Sequence, residues 1–321
     1  MRPDPPLGSS PPSSPGSSLA ALLMTNRLVD VGVKPLAASE YWSVLGPVPD
    51  PAVMLGASAS VVTELVSGDT ALAERLVTLL DAVAAFVFER ERLADQGITM
   101  LSSFDEGFPH RLIERLDTAC PAFLTVAGPA TWLSSGGLGV VGGRDASEEA
   151  CTVAQAAACV AVAADVAVIS GLARGIDQAA MTATLDLAGA VIGVPAEGLR
   201  AAARSPEVRR RVHAGELCIA SPYAPGARFT AGNALGRNKL IYGLADATLV
   251  VCSARGTGGT WGGATESLRR SFGPVVVWMG DGAGPGNAAL ATLGATTITD
   301  VAKVLDAANS PPPTRAQDSL F

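Results

Sequence analysis

The sequence contains few of the residues that build metal centres and disulfide frameworks. Its 321 residues include five cysteines, none of them in a C-x-x-C pair, and two histidines. An odd number of scattered cysteines argues against a disulfide framework, and the missing pairs argue against zinc motifs. Two histidines also make most histidine-based catalytic triads improbable. We therefore expect neither a metal ion nor a cofactor.

Long apolar runs are missing as well. No stretch reaches the roughly 18 apolar residues that a membrane-spanning helix requires. The opening sequence, MRPDPPLGSSPPSSPGSS, has no apolar segment of the kind found in secretory signals. The chain is therefore predicted to be cytoplasmic, without a membrane partner.

Positive charge is scarce, and the formal net charge is −7. Nucleic-acid-binding proteins usually carry a basic surface, so the mean charge by itself argues against that class. The basic residues nevertheless concentrate in one part of the chain, at Arg200, Arg204, Arg209, Arg210, Arg211, Arg228, Arg237 and Lys239. The stretch VRRRVH within this part is equally compatible with a solvated helix face.

The chain divides into four segments. Residues 1–18 are mostly proline, serine and glycine, which cannot bury enough apolar surface to become ordered, so we predict a disordered tail. Residues 19–97 have the apolar spacing of helices and predict a small all-helical domain. Residues 98–308 predict a second domain, and residues 309–321 form a proline-rich tail.

The second domain alternates short β-rich runs with segments of helix length. The runs are LGVVG (138–142), VAVIS (166–170), AVIGV (190–194), LCIAS (217–221), ATLVVC (247–252) and PVVVWM (274–279). Strands separated by helices indicate βαβ crossovers and a parallel sheet that is covered on both faces. The predicted fold class is α/β, a Rossmann-like, doubly wound, mostly parallel sheet preceded by the helical domain.

Three glycine-rich turns follow strands of this predicted sheet, at the edge where such sheets bind ligands. They are VVGGRDAS (140–147), SGLARGID (170–177) and SARGTGGT (253–260). Glycines let the backbone approach an anion closely, and arginines can contact phosphate. Each turn by itself is compatible with a plain connection. Three such turns at one sheet edge predict a phosphate-binding cleft.

A further polar stretch precedes the strand at 247–252. Its residues are expected to bind anions or to pair with acidic side chains, and they are Asn233, Arg237, Asn238 and Lys239. Asn233 and Arg237 lie four positions apart and share a helix face. Three aromatic residues near the turns are candidates to stack on bases, namely Tyr223, Phe229 and Trp261.

Five stretches, in this order, resemble one known family: FPHRL, VVGGR, SGLARGIDQAA, SPYAPG and GNALGRNKLIYGLADATLVV. Together they look like the DprA/Smf family of DNA-processing proteins over roughly residues 97–279. The resemblance implies a Rossmann-like domain that binds single-stranded DNA and self-associates, which we expect to give a homodimer. It also implies a role in loading the RecA recombinase during DNA uptake, natural transformation or recombination.

The resemblance also implies which residues form the anion pocket: Gly142, Gly143, Arg144, Ser170, Gly171, Arg174, Gly175, Asp177, Arg237, Asn238 and Lys239. From the residues themselves we add Asn233 of the polar stretch, and Gly258, Gly259 and Thr260 of the third turn, as candidates to bind DNA or phosphate. No residue is predicted to be catalytic.

The sequence departs from the family pattern at two places. Met181 and Thr182 stand where many members have a His-Arg pair, and GTGGTWGGATE (256–266) replaces a more usual Ser-Gly-Ser version. The second variant is similar to Rossmann-like nucleotide sensors and nucleoside-monophosphate phosphoribohydrolases. The alternative is therefore such a sensor or enzyme, in phage defence for example, with Glu266 as its carboxylate. A plain position on the helix surface also accounts for Glu266.

The final residues, QDSLF (317–321), resemble the Q-x-[SD]-L-F peptide by which bacterial DNA-processing proteins bind the replication sliding clamp. In that mode Leu320 and Phe321 fill an apolar pocket, and Gln317 forms a hydrogen bond at its edge. The preceding SPPPTRA is a proline-rich spacer that would keep the peptide extended. The sliding clamp is thus a candidate partner.

Overall fold

A computed structural model describes residues 14–308, and these residues form two compact units. Within that range the first unit comprises residues 14–110 and 118–125, and the second comprises residues 111–117 and 126–308. The peptide at 317–321 and most of the predicted N-terminal tail lie outside the described residues. Between residues 14 and 308, no helix has the length and apolar character needed to cross a membrane.

The first unit consists of helices and one short strand. Its elements are α1 (Pro15–Thr25), α2 (Ala38–Leu45), a short 3-10 helix (Pro51–Met54), α3 (Ala59–Leu65), α4 (Thr70–Leu80), α5 (Val83–Ala94) and β1 (Thr99–Ser102). Leu22, Tyr41, Leu76 and Phe86 are completely buried and form part of its core. The helices expected from the apolar spacing of residues 19–97 are therefore present.

The ordered chain begins earlier than the sequence predicted. Helix α1 starts at Pro15, so the predicted disorder of residues 1–18 is wrong from that position onward. The Ser14 Oγ accepts a hydrogen bond from the Ser17 N–H at 3.0 Å, and proline is favourable in a first helical turn. The Ser17 Oγ in turn donates to the Asp50 Oδ1 at 2.7 Å. Small polar residues are ordered here by specific hydrogen bonds, which composition does not reveal.

The first unit also extends past the predicted boundary between residues 97 and 98. The Tyr41 and Ser103 hydroxyls are hydrogen-bonded at 2.7 Å. The Ser18 Oγ donates to the Asp105 Oδ2 at 3.0 Å. These bonds hold the segment around β1 in the helical unit, which continues to residue 110.

The strands that follow β1 belong mainly to the second unit. They are β2 (Phe123–Ala127), which crosses the division along the chain, β3 (Leu138–Val141), β4 (Val168–Ser170), β5 (Val191–Gly193), β6 (Leu217–Ser221), β7 (Ala247–Val250), β8 (Val275–Trp278) and β9 (Thr296–Ile298). All six predicted strands are present, whereas β1, β2 and β9 were not predicted. Strands β3 to β9 lie in the order β6-β5-β4-β3-β7-β8-β9. Each neighbouring pair among them is parallel, which confirms the predicted α/β class.

Helices connect these strands. They are α6 (His110–Leu116), α7 (Trp132–Ser135), α8 (Glu148–Ala163), α9 (Ile176–Asp186), α10 (Leu199–Ala202), α11 (Pro206–His213), α12 (Ala231–Leu244), α13 (Gly258–Arg270), α14 (Asn287–Thr292) and α15 (Val304–Ala308). Two 3-10 helices lie at Asp117–Ala119 and Val301–Lys303. Long apolar runs such as VVVW in β8 are buried along their whole length, as expected for a parallel sheet.

The strand order reverses at β3. From β3 the chain adds β4, β5 and β6 on one side, and α12 then leads to β7 on the other side. The register pairs Val141 with Val250, so the carboxyl ends of β3 and β7 lie side by side. In doubly wound sheets the crevice at such a switch point is where ligands bind.

Candidate functional site

A cleft of about 600 Å³ opens at this switch point. Its size falls within the range of small-molecule sites, about 300–1,000 Å³. The predicted site residues that line it are Gly142, Gly143, Arg144, Asp177, Arg237, Asn238, Gly258, Gly259 and Thr260. The first and third turns, part of the second and one face of α12 thus meet at one place.

The turn after β3 is held tightly against its neighbours. A Cβ on Gly142 would overlap the side chain of Ile176, so no larger residue fits between this turn and α9. The Gly143 N–H donates to the Cys252 carbonyl oxygen at 3.1 Å. The Gly143 carbonyl oxygen accepts from the Ile176 N–H at 3.3 Å. These bonds fix the backbone that presents Arg144 at the mouth of the cleft.

The second turn, SGLARGID, is shaped by its own polar side chains. The Ser170 Oγ donates to the Val140 carbonyl oxygen at 2.6 Å. The Asp177 Oδ2 accepts from the Gly171 N–H at 3.1 Å, and the residue is 6% exposed. Burial raises the pKa of Asp177, an effect that the charge of Arg237 opposes. Ser170 and Asp177 therefore stabilise the turn, and Asp177 also reaches the cleft.

Arg237 is the most deeply buried cation of the cleft. It is 5% exposed, and its Nη2 donates to the Gly171 carbonyl oxygen at 3.0 Å. Its Nε and Nη1 have no hydrogen-bond partner among residues 14–308. Burial lowers the pKa of Arg237, whereas the negative charge of Asp177 raises it. Buried donors are nearly always paired in folded proteins. These two unpaired atoms therefore mark a position where an anion could accept hydrogen bonds.

The amino end of α13 supplies a second positive feature. Its N-cap residue, Thr257, makes no side-chain capping bond to the first helical amides. The Thr260 Oγ1 donates to the Gly142 carbonyl oxygen at 2.9 Å, and the Asn238 Nδ2 donates to the Gly259 carbonyl oxygen at 3.0 Å. These bonds hold the helix start against the first turn. The partial positive charge of the helix end therefore faces the cleft.

The mouth of the cleft combines a cation with an aromatic ring. The Arg144 guanidinium carbon lies 5.8 Å from the ring centre of Phe229, and that ring is 50% exposed. Phe229 lines the cleft, whereas the other two aromatic candidates, Tyr223 and Trp261, do not. The Tyr223 hydroxyl donates to the Asn233 carbonyl oxygen at 2.7 Å, and burial raises the pKa of Tyr223 to about 12. Of the three aromatic candidates, Phe229 is thus the one that lines the cleft.

Other predicted site residues lie outside the cleft lining. Arg174 is exposed and pairs with Asp145 at 3.4 Å. Asn233 takes part in the start of α12, where its Nδ2 donates to the Arg228 carbonyl oxygen at 3.0 Å. Lys239 follows Arg237 by two positions, which is about 200° around a helix, so the two side chains point in different directions. Three further predicted residues do not line the cleft but belong to the second turn, which supports it: Ser170, Gly171 and Gly175.

Gly171 has a steric role in that support. A Cβ at this position would overlap the Arg237 guanidinium, so the glycine provides the space in which the buried arginine lies. The second turn therefore positions Arg237 through both its carbonyl oxygen and its missing side chain.

The basic stretch VRRRVH forms α11 and pairs mainly with nearby acids. Arg210 and Arg211 each contact Glu207, at 2.6 and 2.8 Å, and Arg211 also contacts Glu216 at 2.8 Å. None of this helix lines the cleft. The structure supports the solvated-face interpretation of this stretch.

Sequence reasoning missed Tyr242 as a cleft residue. Its hydroxyl is buried and has no hydrogen-bond partner within residues 14–308, and burial raises its pKa. Tyr242 lies four residues after Asn238 and therefore on the same helix face. That spacing is the signal that would have found it. Cys252 does not line the cleft, but its Sγ accepts from the Gly143 N–H at 3.3 Å and so supports the first turn.

Metal-ligating residues do not cluster in the described part of the chain. No group of three histidine, cysteine, aspartate or glutamate side chains in residues 14–308 is arranged to hold a metal ion.

Comparison with solved structures supports the fold. The DNA processing protein A of Streptococcus pneumoniae aligns with a TM-score of 0.64 at 20% identity, covering 84% of this chain and 98% of the other. DNA processing protein A of Helicobacter pylori, whose structure is described as showing a unique single-stranded DNA binding mode, aligns with a TM-score of 0.53 at 18% identity. That alignment covers 65% of this chain and 94% of the other. No curated protein sequence matches the chain.

A sequence model of a protein family shows which family the chain belongs to. The model of DNA recombination-mediator protein A matches residues 99–309, which include every strand of the sheet and all three glycine-rich turns. The resemblance carried by those turns is thereby confirmed, and the chain belongs to the DNA recombination-mediator protein A family.

Proposed function

We propose that this protein binds single-stranded DNA and acts as a recombination mediator. The observation that carries the proposal is the cleft at the switch point, with the buried Arg237 on its floor and Arg144 and Phe229 at its mouth. Family membership and the DNA-binding mode described for the Helicobacter pylori protein support it.

The cleft offers the two interactions that single strands need. Phosphates bind to Arg144, Arg237 and the amino end of α13, which provide positive charge and donors. Bases stack on Phe229, a contact that every base can make because every base has an aromatic face. Binding of this kind is tolerant of sequence. Because the net charge of the protein is −7, the attraction of the strand comes from the positive charge of the cleft. This attraction weakens as the salt concentration increases.

The enzymatic alternative has little support in the geometry. Glu266, its candidate carboxylate, does not line the cleft, and it lies 3.9 Å from Arg270 one turn along α13. Asp177, the carboxylate that does line the cleft, is engaged by the Gly171 N–H. We therefore propose a binding role without turnover. Release of free base from a nucleoside monophosphate by the purified protein would favour the alternative.

We also propose self-association as a homodimer and delivery of RecA to the bound strand. These two roles rest on the family, whose members are described as recombination mediators. Analytical ultracentrifugation measures the first role. The second is tested by RecA filament formation on single-stranded DNA that is already coated with a single-strand-binding protein.

Replacing Arg144 with alanine is expected to weaken DNA binding to a similar extent for all sequences. Arg144 is exposed at the cleft mouth, so its loss removes one phosphate contact without disturbing the core. The slope of log affinity against log salt should become shallower by about 0.7, the value for one phosphate of a single strand. Fluorescence anisotropy with labelled oligonucleotides at several salt concentrations measures this slope.

Arg269→Ala is the matched control. Arg269 is an exposed arginine in the last turn of α13, at the opposite end of the helix from the cleft. Its loss changes the net charge equally and should leave the slope unchanged. Equal slopes for the wild type and Arg144→Ala would contradict the placement of DNA at this mouth.

Clamp binding by the peptide at 317–321 is a separate proposal, based on sequence alone. Deleting Leu320 and Phe321 should abolish binding to the replication sliding clamp, because these two side chains supply the apolar anchor. The affinity of the intact protein is expected to be micromolar, about −8 kcal/mol. Surface plasmon resonance on immobilised clamp measures it, with DNA affinity as the internal check.

Asp318→Ala serves as the control for this deletion, since the motif tolerates any residue at that position. It should bind the clamp as the wild type does. If the truncated protein binds the clamp as well as the full chain, the peptide is not the anchor.

A further inference from the structure

Buried polar side-chain atoms without partners are concentrated in the cleft. Within residues 14–308 there are four such atoms, the Arg237 Nε and Nη1, the Tyr242 hydroxyl and the Thr248 Oγ1. The first three belong to residues that line the cleft, and Thr248 lies on β7 within the sheet. Each unpaired donor carries a cost in the folded protein. Their clustering on one floor therefore points to a ligand that accepts several hydrogen bonds.

The ligand must be an anion with several oxygens. The charged residues that line the cleft are Arg144, Arg237 and Asp177, so one net positive charge remains. The amino end of α13 adds partial positive charge. All three unpaired cleft atoms can donate hydrogen bonds, and a guanidinium cannot accept them. A phosphate group satisfies these requirements.

The depth of these donors distinguishes between kinds of phosphate. Arg237 and Tyr242 are 5% and 2% exposed, whereas Arg144 and Phe229 at the mouth are exposed. A phosphodiester inside a strand is linked to nucleotides on both sides. Both of these parts of the strand would have to pass the mouth for the phosphate to reach the floor. A phosphomonoester at the end of a nucleotide has chain on one side and needs one passage.

We propose that the floor of the cleft binds a nucleotide phosphomonoester, with the base of that nucleotide on Phe229. The inference rests on the proposed function in that it concerns the same cleft. The shared chemistry is a terminal phosphate, which a free mononucleotide or a phosphorylated strand end can supply. The protein would then distinguish a strand that ends in phosphate from one that ends in hydroxyl.

The experiment compares two kinds of probe on the full-length protein. Isothermal titration calorimetry measures binding of deoxyadenosine 5′-monophosphate and of deoxyadenosine. Fluorescence anisotropy measures binding of an oligothymidine that carries a phosphate at its 5′ end, at its 3′ end or at neither end. We expect the monophosphate to bind and the nucleoside not to bind. One of the phosphorylated strands should bind about 30-fold tighter than the unphosphorylated strand, because its dianion contacts a buried cation.

Tyr242→Phe tests the assignment of the site. It removes a hydroxyl that has no hydrogen-bond partner among residues 14–308, so the fold should be retained, while affinity for the monophosphate falls about tenfold, as for one hydrogen bond to a charged group. Thr248→Val is the matched control, because it removes the other unpartnered buried hydroxyl, which lies outside the cleft lining. It should bind the monophosphate as the wild type does.

The outcomes separate this inference from the proposed function. If all three strands bind equally and the monophosphate does not bind, the inference is wrong while the DNA-binding function stands. Equal binding of the monophosphate and the nucleoside would also overturn it, because the phosphate then contributes nothing. If the monophosphate binds and no strand does, the inference holds for a free mononucleotide and the proposed DNA-binding function fails.

Discussion

Replacing Arg237 with methionine should reduce the affinity for single-stranded DNA that carries the terminal phosphate about 30-fold or more, which corresponds to about 2 kcal/mol. The guanidinium is the buried positive charge of the cleft, and two of its donors have no partner in the part of the chain that the structure describes. Hydrogen bonds from such donors to a charged group contribute about 1.5–3 kcal/mol each. Anisotropy titrations with a labelled oligonucleotide measure the loss.

The same substitution is expected to have a small effect on stability. It removes the hydrogen bond to the Gly171 carbonyl oxygen and the charge that compensates Asp177, both of which stabilise the fold. It also removes two unpartnered buried donors, which destabilise the fold. Because these contributions oppose each other, we expect the free energy of unfolding to change by less than about 2 kcal/mol. Urea denaturation followed by circular dichroism measures it.

Arg115→Met provides the contrast, because Arg115 is a partly buried arginine with a purely structural role. Its Nη1 donates to the carbonyl oxygens of Gly243 and Ala245, at 3.1 and 2.5 Å, and burial lowers its pKa. Arg115→Met should lose stability and bind DNA normally, the reverse of Arg237→Met. If both variants lose stability equally and neither loses DNA affinity, Arg237 is structural as well.

The strands of the sheet interior were predictable because burial on both faces demands continuous apolar runs. Two of the strands that were missed, β1 and β9, lack this signature, whereas β2 has it, with the sequence FLTVA and its first four residues buried. β9 has the sequence TTI and is partly exposed, so it reads as a loop. β1 follows a long helical segment and lies in the helical unit, and its sequence TMLS has two adjacent apolar residues between polar ones, so no apolar alternation marks it. Edge position and mixed burial remove the periodicity on which such predictions depend.

The site was predictable to the extent that glycine turns mark close approaches. Gly142 and Gly171 are required because a Cβ would overlap Ile176 and Arg237 respectively. What the sequence did not reveal is which polar side chains are used within the protein. The Ser170 hydroxyl bonds to a backbone carbonyl oxygen. The Tyr242 hydroxyl, in a stretch whose sequence predicts an apolar helix, instead has no hydrogen-bond partner within the described residues 14–308. Such differences arise from tertiary contacts between distant segments.

Replacing Gly175 with alanine should destabilise the protein by about 3 kcal/mol, the upper end of the range for a residue held in a disfavoured backbone conformation. Gly175 precedes α9 and has φ +80° and ψ −127°. Residues other than glycine avoid this backbone conformation. An added Cβ would also lie 2.7 Å from the Arg144 carbonyl oxygen and closer still to that of Gly143. Relief of this overlap requires the first turn to move, so DNA affinity should fall together with stability.

Gly215→Ala separates strain from overlap. Gly215 has φ +73°, and no atom of the described residues lies within 4 Å of an added Cβ, so its substitution adds backbone strain alone, about 1 kcal/mol. The two variants are compared by urea denaturation and by anisotropy with the same oligonucleotide. Gly175→Ala should lose more stability than Gly215→Ala and should alone lose DNA affinity. Equal stability losses with unchanged DNA binding would mean that the contact between the first and second turns does not maintain the cleft.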